Sequence, residues 1–398
     1  MRATSVFWAV FPLATGLTVI GTCPVGAQTG SPPYKAATGP FAVGTVPEVV
    51  LHDAARNKDL PVFVSYPKGD GRFPVIIFSH GAMGSGDVGF PIVEHWTSHG
   101  YVVLCPTHAD SIKLRRAQGK AGVGDTLSAI RESGRSGRWD DNWTARPRDV
   151  SFVLDSLNDL EAKVPALRGK LDRDRMAVGG HSLGAYTAQV AGGATVRMPG
   201  KAEPQSLRDP RLKAVLQLSG QGRGQQGLYE RSWVGMKLPM MCVTGSLDRG
   251  AQGQQPGWRR DPFALSAPGG KYFLFIEGAN HGSFTGKMAV GGLSGRRGGG
   301  GLLQRLSPEQ RQRLIERFRG LRNGASADAG SAPGAGRRAG TVAEPASRGD
   351  QKAIFEWVKM ATTAFWDSAL KQDQDAKAWL QSDALAALSH GAVKLERR

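Results

Sequence analysis

Ser182 lies at the centre of Gly180-His181-Ser182-Leu183-Gly184, the one G-x-S-x-G arrangement in the 398-residue chain. A serine hydroxyl is a weak nucleophile until a base takes its proton and an acid orients that base. The pentapeptide suits such a serine when a strand enters it and a helix leaves it. The sharp turn then exposes the hydroxyl, and the flanking glycines let strand and helix approach closely. Here the apolar run Met176-Ala-Val-Gly179 reads as the entering strand, and Ser182 to Ala191 reads as the helix. That context favours a nucleophile over the plainer alternative, a helix start after a glycine turn.

Where a serine sits on such an elbow, its partners follow it along the chain, first Asp or Glu and then His. Only His281 and His390 follow Ser182. His390 falls near the end of a terminal helix and reads as a surface residue. His281, in Gly278-Ala-Asn-His281-Gly282, follows the expected strand Lys271 to Ile276 and is the base by elimination and placement. Asp248 follows the strand Pro239 to Thr244, one strand earlier. It is preferred as the acid over Glu277, which ends the histidine's own strand, and over Asp261, which is further from any strand end. The expected chemistry is attack by Ser182 on an acyl carbon, with His281 shuttling the proton and Asp248 holding the imidazolium. The resulting oxyanion needs two donors. One is the Leu183 N–H. The other comes from the loop His80 to Ser85, with the Ala82 N–H first choice and Met83 second. His80 precedes the nucleophile and reads as a brace for that loop.

The elements that must position these groups form an α/β pattern. Val46 to His52 and Pro61 to Tyr66 read as a hairpin-like start around Arg56-Asn57-Lys58-Asp59. Strands then alternate with helices: strand Phe73 to Ser79, helix about Val88 to His99, strand Tyr101 to Cys105, and helix Pro147 to Leu160. After the elbow come strand Lys213 to Leu218 and the two strands already named, and Lys352 to Leu370 and Asp375 to Leu388 read as closing helices. Continuous apolar strands of this kind belong to a mostly parallel central sheet with helices on both faces.

Weaker features get plainer readings. Trp139, Trp143, Tyr229, Trp233 and Trp258 flank the expected site and could line a pocket or simply pack. His108-Ala109-Asp110 lacks a third ligand for a metal site. Arg146 and Arg148 open a helix and read as solvated. No metal or organic cofactor is expected.

Residues 1–27 read as a signal peptide, with Arg2, the apolar run Val6 to Ile20, and Val25-Gly26-Ala27 before a cut at Gln28. A membrane anchor is the alternative, though Pro12 and Gly16 interrupt the run, and Cys23 fits a lipoprotein signal only loosely. The implied location is exported, periplasmic or extracellular. Residues 28–45 read as an N-terminal tether, and the remaining cysteines, Cys105 and Cys242, as separate buried thiols. The catalytic domain is expected over 46–286 plus 351–390. Between them, 287–350 reads as a basic Gly/Arg-rich, largely disordered insertion with a short basic helix from Ser307 to about Leu321. It holds 12 basic and 5 acidic residues, and so +7 of the formal net charge of +17. Charge concentrated in one segment argues against specific nucleic-acid binding and leaves room for weak contact of that segment with anionic surfaces.

Ser79-His-Gly-Ala-Met-Gly-Ser85, the HWTSHGYVVLC stretch His95 to Cys105, GHSLG and TGSLD together resemble a branch of the α/β-hydrolase superfamily. That branch holds the secreted platelet-activating-factor acetylhydrolases and the dienelactone-hydrolase-like proteins. Polyester hydrolases and cutinases are similar in layout. The resemblance spans most of Pro47 to His281, and Phe365-Trp366-Asp367 with Ala376-Lys377 extends it into the terminal helices. It implies the α/β-hydrolase fold, Ser182, Asp248 and His281 as a triad, and the Ala82 and Leu183 amides as oxyanion donors. True dienelactone hydrolases carry cysteine where this chain has Ser182, and the 287–350 insertion has no counterpart in the pattern. The implied function is an exported serine hydrolase acting on a small-molecule or lipid-like ester. A phospholipase-like, platelet-activating-factor acetylhydrolase-type activity or a polyester or cutinase-like one is the alternative. A non-catalytic binding protein on the same scaffold is the alternative from another class.

Overall fold

The computed structural model describes Met1 and residues 33–87, 90–119, 142–289 and 349–398. The expected signal peptide beyond Met1, Trp139, and residues 290–348 of the expected insertion, with its basic helix, lie outside the described residues.

Nine strands form one sheet: β1 (Ala42–Asp53), β2 (Lys58–Lys68), β3 (Phe73–Ser79), β4 (Val102–Pro106), β5 (Leu171–His181), β6 (Leu212–Leu218), β7 (Met240–Leu247), β8 (Lys271–Asn280) and β9 (Val393–Arg397). Their order is β1-β2-β4-β3-β5-β6-β7-β8-β9. Six strands, β4 to β8 in that order, run parallel. Antiparallel β2 and β1 close one edge and antiparallel β9 the other.

Nine helices are described: α1 (Pro91–Ser98), α2 (Ile112–Ala117), α3 (Asn142–Asp155), α4 (Leu157–Lys163), α5 (Leu183–Ala191), α6 (Asp261–Leu265), α7 (Gln351–Leu370), α8 (Gln374–Gln381) and α9 (Ala384–Leu388). All seven residues of β3 are buried. Val75 and Ile77 join a core with Val150 and Val153 of α3 and Tyr186 and Val190 of α5. Their neighbours Ile76 and Phe78 join a second core with Trp96 of α1 and Phe365 and Trp366 of α7. Side chains alternate across a strand, so a run apolar at every position is what a sheet covered by helices on both faces requires. Helix α7 shows the matching period: Ile354, Val358, Ala361 and Phe365 lie on one buried stripe. Its N-terminus is capped by Asp350, whose carboxylate accepts from the Lys352 N–H at 2.8 Å. Among the described residues no helix is long and apolar enough to cross a membrane.

Several expectations need correction. The tether expected over 28–45 does not hold for 33–45. The Tyr34 hydroxyl donates to buried Asp367 at 2.8 Å, Phe41 packs edge-on against Phe73, and β1 begins at Ala42. The helix expected over 147–160 begins at Asn142 and is interrupted at Ser156. The single helix expected over 375–388 is two, α8 and α9. Strand β9 lies beyond the expected domain end at 390 and pairs with β8 from Tyr272 to Ile276.

Order β4-β3-β5 means that the chain leaves β3 toward one side and later returns on the other. The crevice at such a reversal, at the carboxyl ends of the strands, is where open α/β sheets bind ligands. Two segments meet there: the loop after β3, with His80 to Ser85, and the turn after β5, with Ser182.

Candidate active site

Between β5 and α5, Ser182 adopts φ 57° and ψ −119°. A non-glycine residue held there costs about 1–3 kcal/mol, so the surroundings must enforce it. The Ser182 N–H donates to the Leu218 carbonyl at 2.9 Å, which ties the turn to β6. Both flanking glycines are required by space. A Cβ on Gly180 would lie 2.2 Å from the Gly184 backbone, and one on Gly184 would lie 1.9 Å from the Ser79 carbonyl oxygen.

His281 follows β8, and its Nε2 lies 3.0 Å from Ser182 Oγ. Its Nδ1 lies 2.9 Å from Oδ1 of Asp248, which follows β7 and is fully buried. A carboxylate only accepts, so Nδ1 carries the proton and Nε2 is free to accept from the serine hydroxyl. The three residues singled out in sequence are thus brought together in one hydrogen-bonded chain. The rival acids go elsewhere: Glu277 accepts from Ser246 Oγ, and Asp261 pairs with Arg223. His390 is exposed.

The Asp248 carboxylate has further donors that the sequence reading missed. Ser219 Oγ lies 2.8 and 2.7 Å from its two oxygens, Thr244 Oγ1 donates to Oδ2 at 3.0 Å, and Arg259 Nε, which donates to the Asp248 main-chain carbonyl at 3.1 Å, forms an ion pair with Oδ2 at 3.0 Å. Burial pushes this carboxyl upward. The hydrogen bond from His281 and the Arg259 charge outweigh it and hold the group below the usual carboxylate range. Ser219 had one sequence signal: it directly follows β6, on the same rim as Ser182 and Asp248. Arg259, in the polar segment Pro256–Arg260, had none.

His181 is the second residue of the pentapeptide. Its Nε2 donates to the His281 carbonyl at 2.7 Å and so holds the loop that carries His281. Burial, with the neighbouring His281, pushes its imidazole down to about 4.

On the opposite side, Gly81 brings the β3 loop against Ser182; a Cβ there would lie 3.4 Å from Ser182 Cβ. Gly84 N–H donates to the Gly81 carbonyl at 3.1 Å, closing a turn with Met83 at φ 61°. The Met83 N–H donates to Asp110 Oδ2 at 2.9 Å, which removes the second-choice donor. Among the described residues the N–H groups of Ala82 and Leu183 have no acceptor, the latter as the first amide of α5. Neither amide the sequence reading chose as an oxyanion donor is thus engaged among the described residues.

Arg146, expected to be solvated, is 1% exposed and lies beneath this loop. It forms two hydrogen bonds with Asp110, at 3.0 and 2.7 Å, and donates to the carbonyls of His80 at 2.7 Å and Gly81 at 3.3 Å. Its partner lies 36 residues away in the chain, which helix position could not reveal; Arg148 is exposed. His80 accepts from the His108 N–H at 3.1 Å and bonds the Gly81 carbonyl at 2.7 Å, so it braces the loop. His108 links Ser79 Oγ to Asp149, which Lys58 and Arg56 also bind. Residues that hinted at a metal pair are thus consumed by the brace. Among the described residues no cluster of three or more His, Cys, Asp or Glu could hold a metal ion.

The aromatic residues divide. Trp143 and Trp233 are buried, Trp233 donating to Gln189 Oε1, and Trp258 donates to the Arg223 carbonyl. Tyr229 stacks with Arg197 and lines an open cavity of about 290 Å³ that contains none of Ser182, Asp248 or His281. Cys105 and Cys242 are free, buried thiols.

A strand-held serine elbow on a mostly parallel sheet, with an aspartate from the end of β7 and a histidine from the end of β8, decides the architecture. The fold is that of an α/β-hydrolase. Residues 37–126 match the family model described as chlorophyllase, a family within that superfamily. The matched stretch runs from before β1 past α2. It includes the oxyanion-side loop but not Ser182, Asp248 or His281. The α/β-hydrolase chain is therefore similar to chlorophyllase over this part, and the match does not single out the platelet-activating-factor acetylhydrolase and dienelactone-hydrolase branch. No curated protein matches the chain.

Proposed function

We propose that this chain is an exported serine hydrolase that cleaves carboxylic esters through an acyl-enzyme. The observation that carries the proposal is the continuous hydrogen-bonded chain from Ser182 Oγ through His281 to buried Asp248. The likeness to chlorophyllase over 37–126 supports an ester as substrate.

In this reading Ser182 Oγ attacks the acyl carbon while its proton passes to His281 Nε2. Asp248 holds the imidazolium through Nδ1, and the N–H groups of Ala82 and Leu183 receive the oxyanion. The imidazolium returns the proton to the departing alkoxide and leaves the acyl group on Ser182. Water then enters, gives a proton to His281, and attacks the acyl carbon. The tetrahedral intermediate collapses to carboxylic acid and free serine. Strain at Ser182 and the bonds to Leu218, Asp248 and Asp110 set these groups in place before substrate arrives, so little ordering remains for the transition state.

Export rests on the features of residues 1–27, and N-terminal sequencing of secreted protein tests it: a mature chain starting at Gln28 supports cleavage. For the chemistry, a fluorophosphonate probe should label the wild type and leave Ser182→Ala unlabelled. Absence of labelling together with absence of turnover on short nitrophenyl esters would overturn the proposal in favour of a binding protein.

A further inference from the structure

Arg259 is 4% exposed, and all three of its guanidinium nitrogens are engaged at the back of the triad. Nε lies 3.0 Å from Asp248 Oδ2, Nη1 donates to the carbonyls of Ser219 and Gly220 at 2.9 Å, and Nη2 donates to the Arg249 carbonyl at 3.1 Å. Nη2 also lies 3.4 Å from His281 Nδ1. Ser219, held at φ 59°, places its hydroxyl 2.7 Å from that same Nδ1 and within bonding distance of both Asp248 oxygens.

In a triad made only of serine, histidine and aspartate, the charged state formed during attack pairs one imidazolium with one carboxylate, and the buried group is neutral. Here the carboxylate already faces a guanidinium. The resting Asp248–Arg259 pair is buried and neutral, and protonating the half-exposed His281 ring beside it leaves the group with one net positive charge. Like charge close to a low-dielectric site opposes proton uptake. We infer that Arg259 is a positioning residue whose charge, set against Asp248 and 3.4 Å from His281 Nδ1, opposes protonation of the Asp248–His281 couple and so sets where the acid limb of the pH profile falls. Ser219 completes the device by holding the carboxylate against both partners. Groups facing the His281 ring come from four other elements. They are Ser182 from the elbow, Asp248 from the end of β7, Ser219 from the end of β6, and Arg259. His181 also packs against it, with ring centroids 4.9 Å apart. Among the described residues, Asp248 and Arg259 are the charged groups bonded to or touching the ring.

The inference rests on the proposed serine-hydrolase reading and deepens it. The test is the pH dependence of kcat/KM on a nitrophenyl ester for wild type, Arg259→Met, Arg259→Gln and Arg259→Lys. Each is normalised to the fraction of sites that a fluorophosphonate titrates. Losing the charge should move the acid limb up by about 1 pH unit, with KM within about two-fold of wild type. Arg259→Lys keeps the charge and should return the limb toward the wild-type position even where its rate is lower. Should the methionine variant not fold, the glutamine and lysine variants still differ in charge, and the limb must separate them. Superimposable acid limbs among the titrated variants would overturn the inference and make Arg259 a merely structural residue, with the hydrolase reading intact. A wild type that neither labels nor turns over would overturn both.

Discussion

Arg259 behind the His281 side and Arg146 behind the oxyanion side are both almost wholly buried, at 4% and 1% exposure, yet they act on the site differently. Arg259 touches Asp248, the proposed triad acid, and on that proposal its charge enters the proton balance of the reaction. Arg146 is paired with Asp110 and reaches the site only through the carbonyls of His80 and Gly81. On the proposed reading one arginine bears on the protonation of the base, and the other anchors the loop that carries the Ala82 N–H. A buried cation paired and hydrogen-bonded in full is tolerable, whereas removing one partner strands the other charge. The same residue type thus supports both sides, but only one side should register in a pH profile.

The comparison can be broken or sharpened by experiment. The largest effect belongs to the residue both sides share: Ser182→Ala should lower kcat by on the order of 10⁴-fold or more, measured on a nitrophenyl ester. Next, Ala82→Pro deletes the proposed donor at a turn position that accepts proline. It should lower kcat by about 10²–10³-fold without moving the pH profile; a displaced acid limb would erase the distinction drawn between the two sides. Arg146→Met should lower kcat by a smaller factor, with an unshifted pH profile. It should also cost about 3–5 kcal/mol of stability in denaturant unfolding, since Asp110 is left buried without its cation.

The smallest effect is on stability. His181 titrates at about 4 in the folded state against 6.5 ordinarily, so the unfolded chain binds the extra proton between those values. Its contribution is fully present above about pH 6.5 and is lost as pH falls toward 4. His95, pushed by burial to about 3, acts in the same direction. A Tm that falls from pH 6.5 to 4 in wild type and falls less steeply in His181→Gln is the expected outcome. An equal slope in both would show that His181 stays neutral for no energetic reason tied to folding.

Much of the active-site rim was legible because chain order and strand ends carry it. Ser182 was readable from glycines whose absence of Cβ the local turn demands. Asp248 was separable from Glu277 and Asp261 by strand order. Arg146 was misread because a charged residue on the first turns of a helix is ordinarily solvated, and its partner Asp110 is 36 residues away. Residues 33–45 were misread for a related reason. Their polar, small composition suits a tether, yet Tyr34 and Lys35 find one buried carboxylate, Asp367, more than 330 residues later.

By itself the sequence determined the elbow, the continuous strands and the likeness of the whole to an α/β-hydrolase. These depend on local backbone needs and on side-chain period, which neighbours in the chain express. Tertiary structure alone decided which polar residues are buried: Arg146, Arg259 and Ser219 become part of the site only when distant strand ends converge. It also decided the edge strand β9, whose Val-Lys-Leu-Glu-Arg sequence is too short and too charged to announce a place beside β8. A buried charge is stable only with its partners in place, and those partners are set by how the strands are ordered across the sheet.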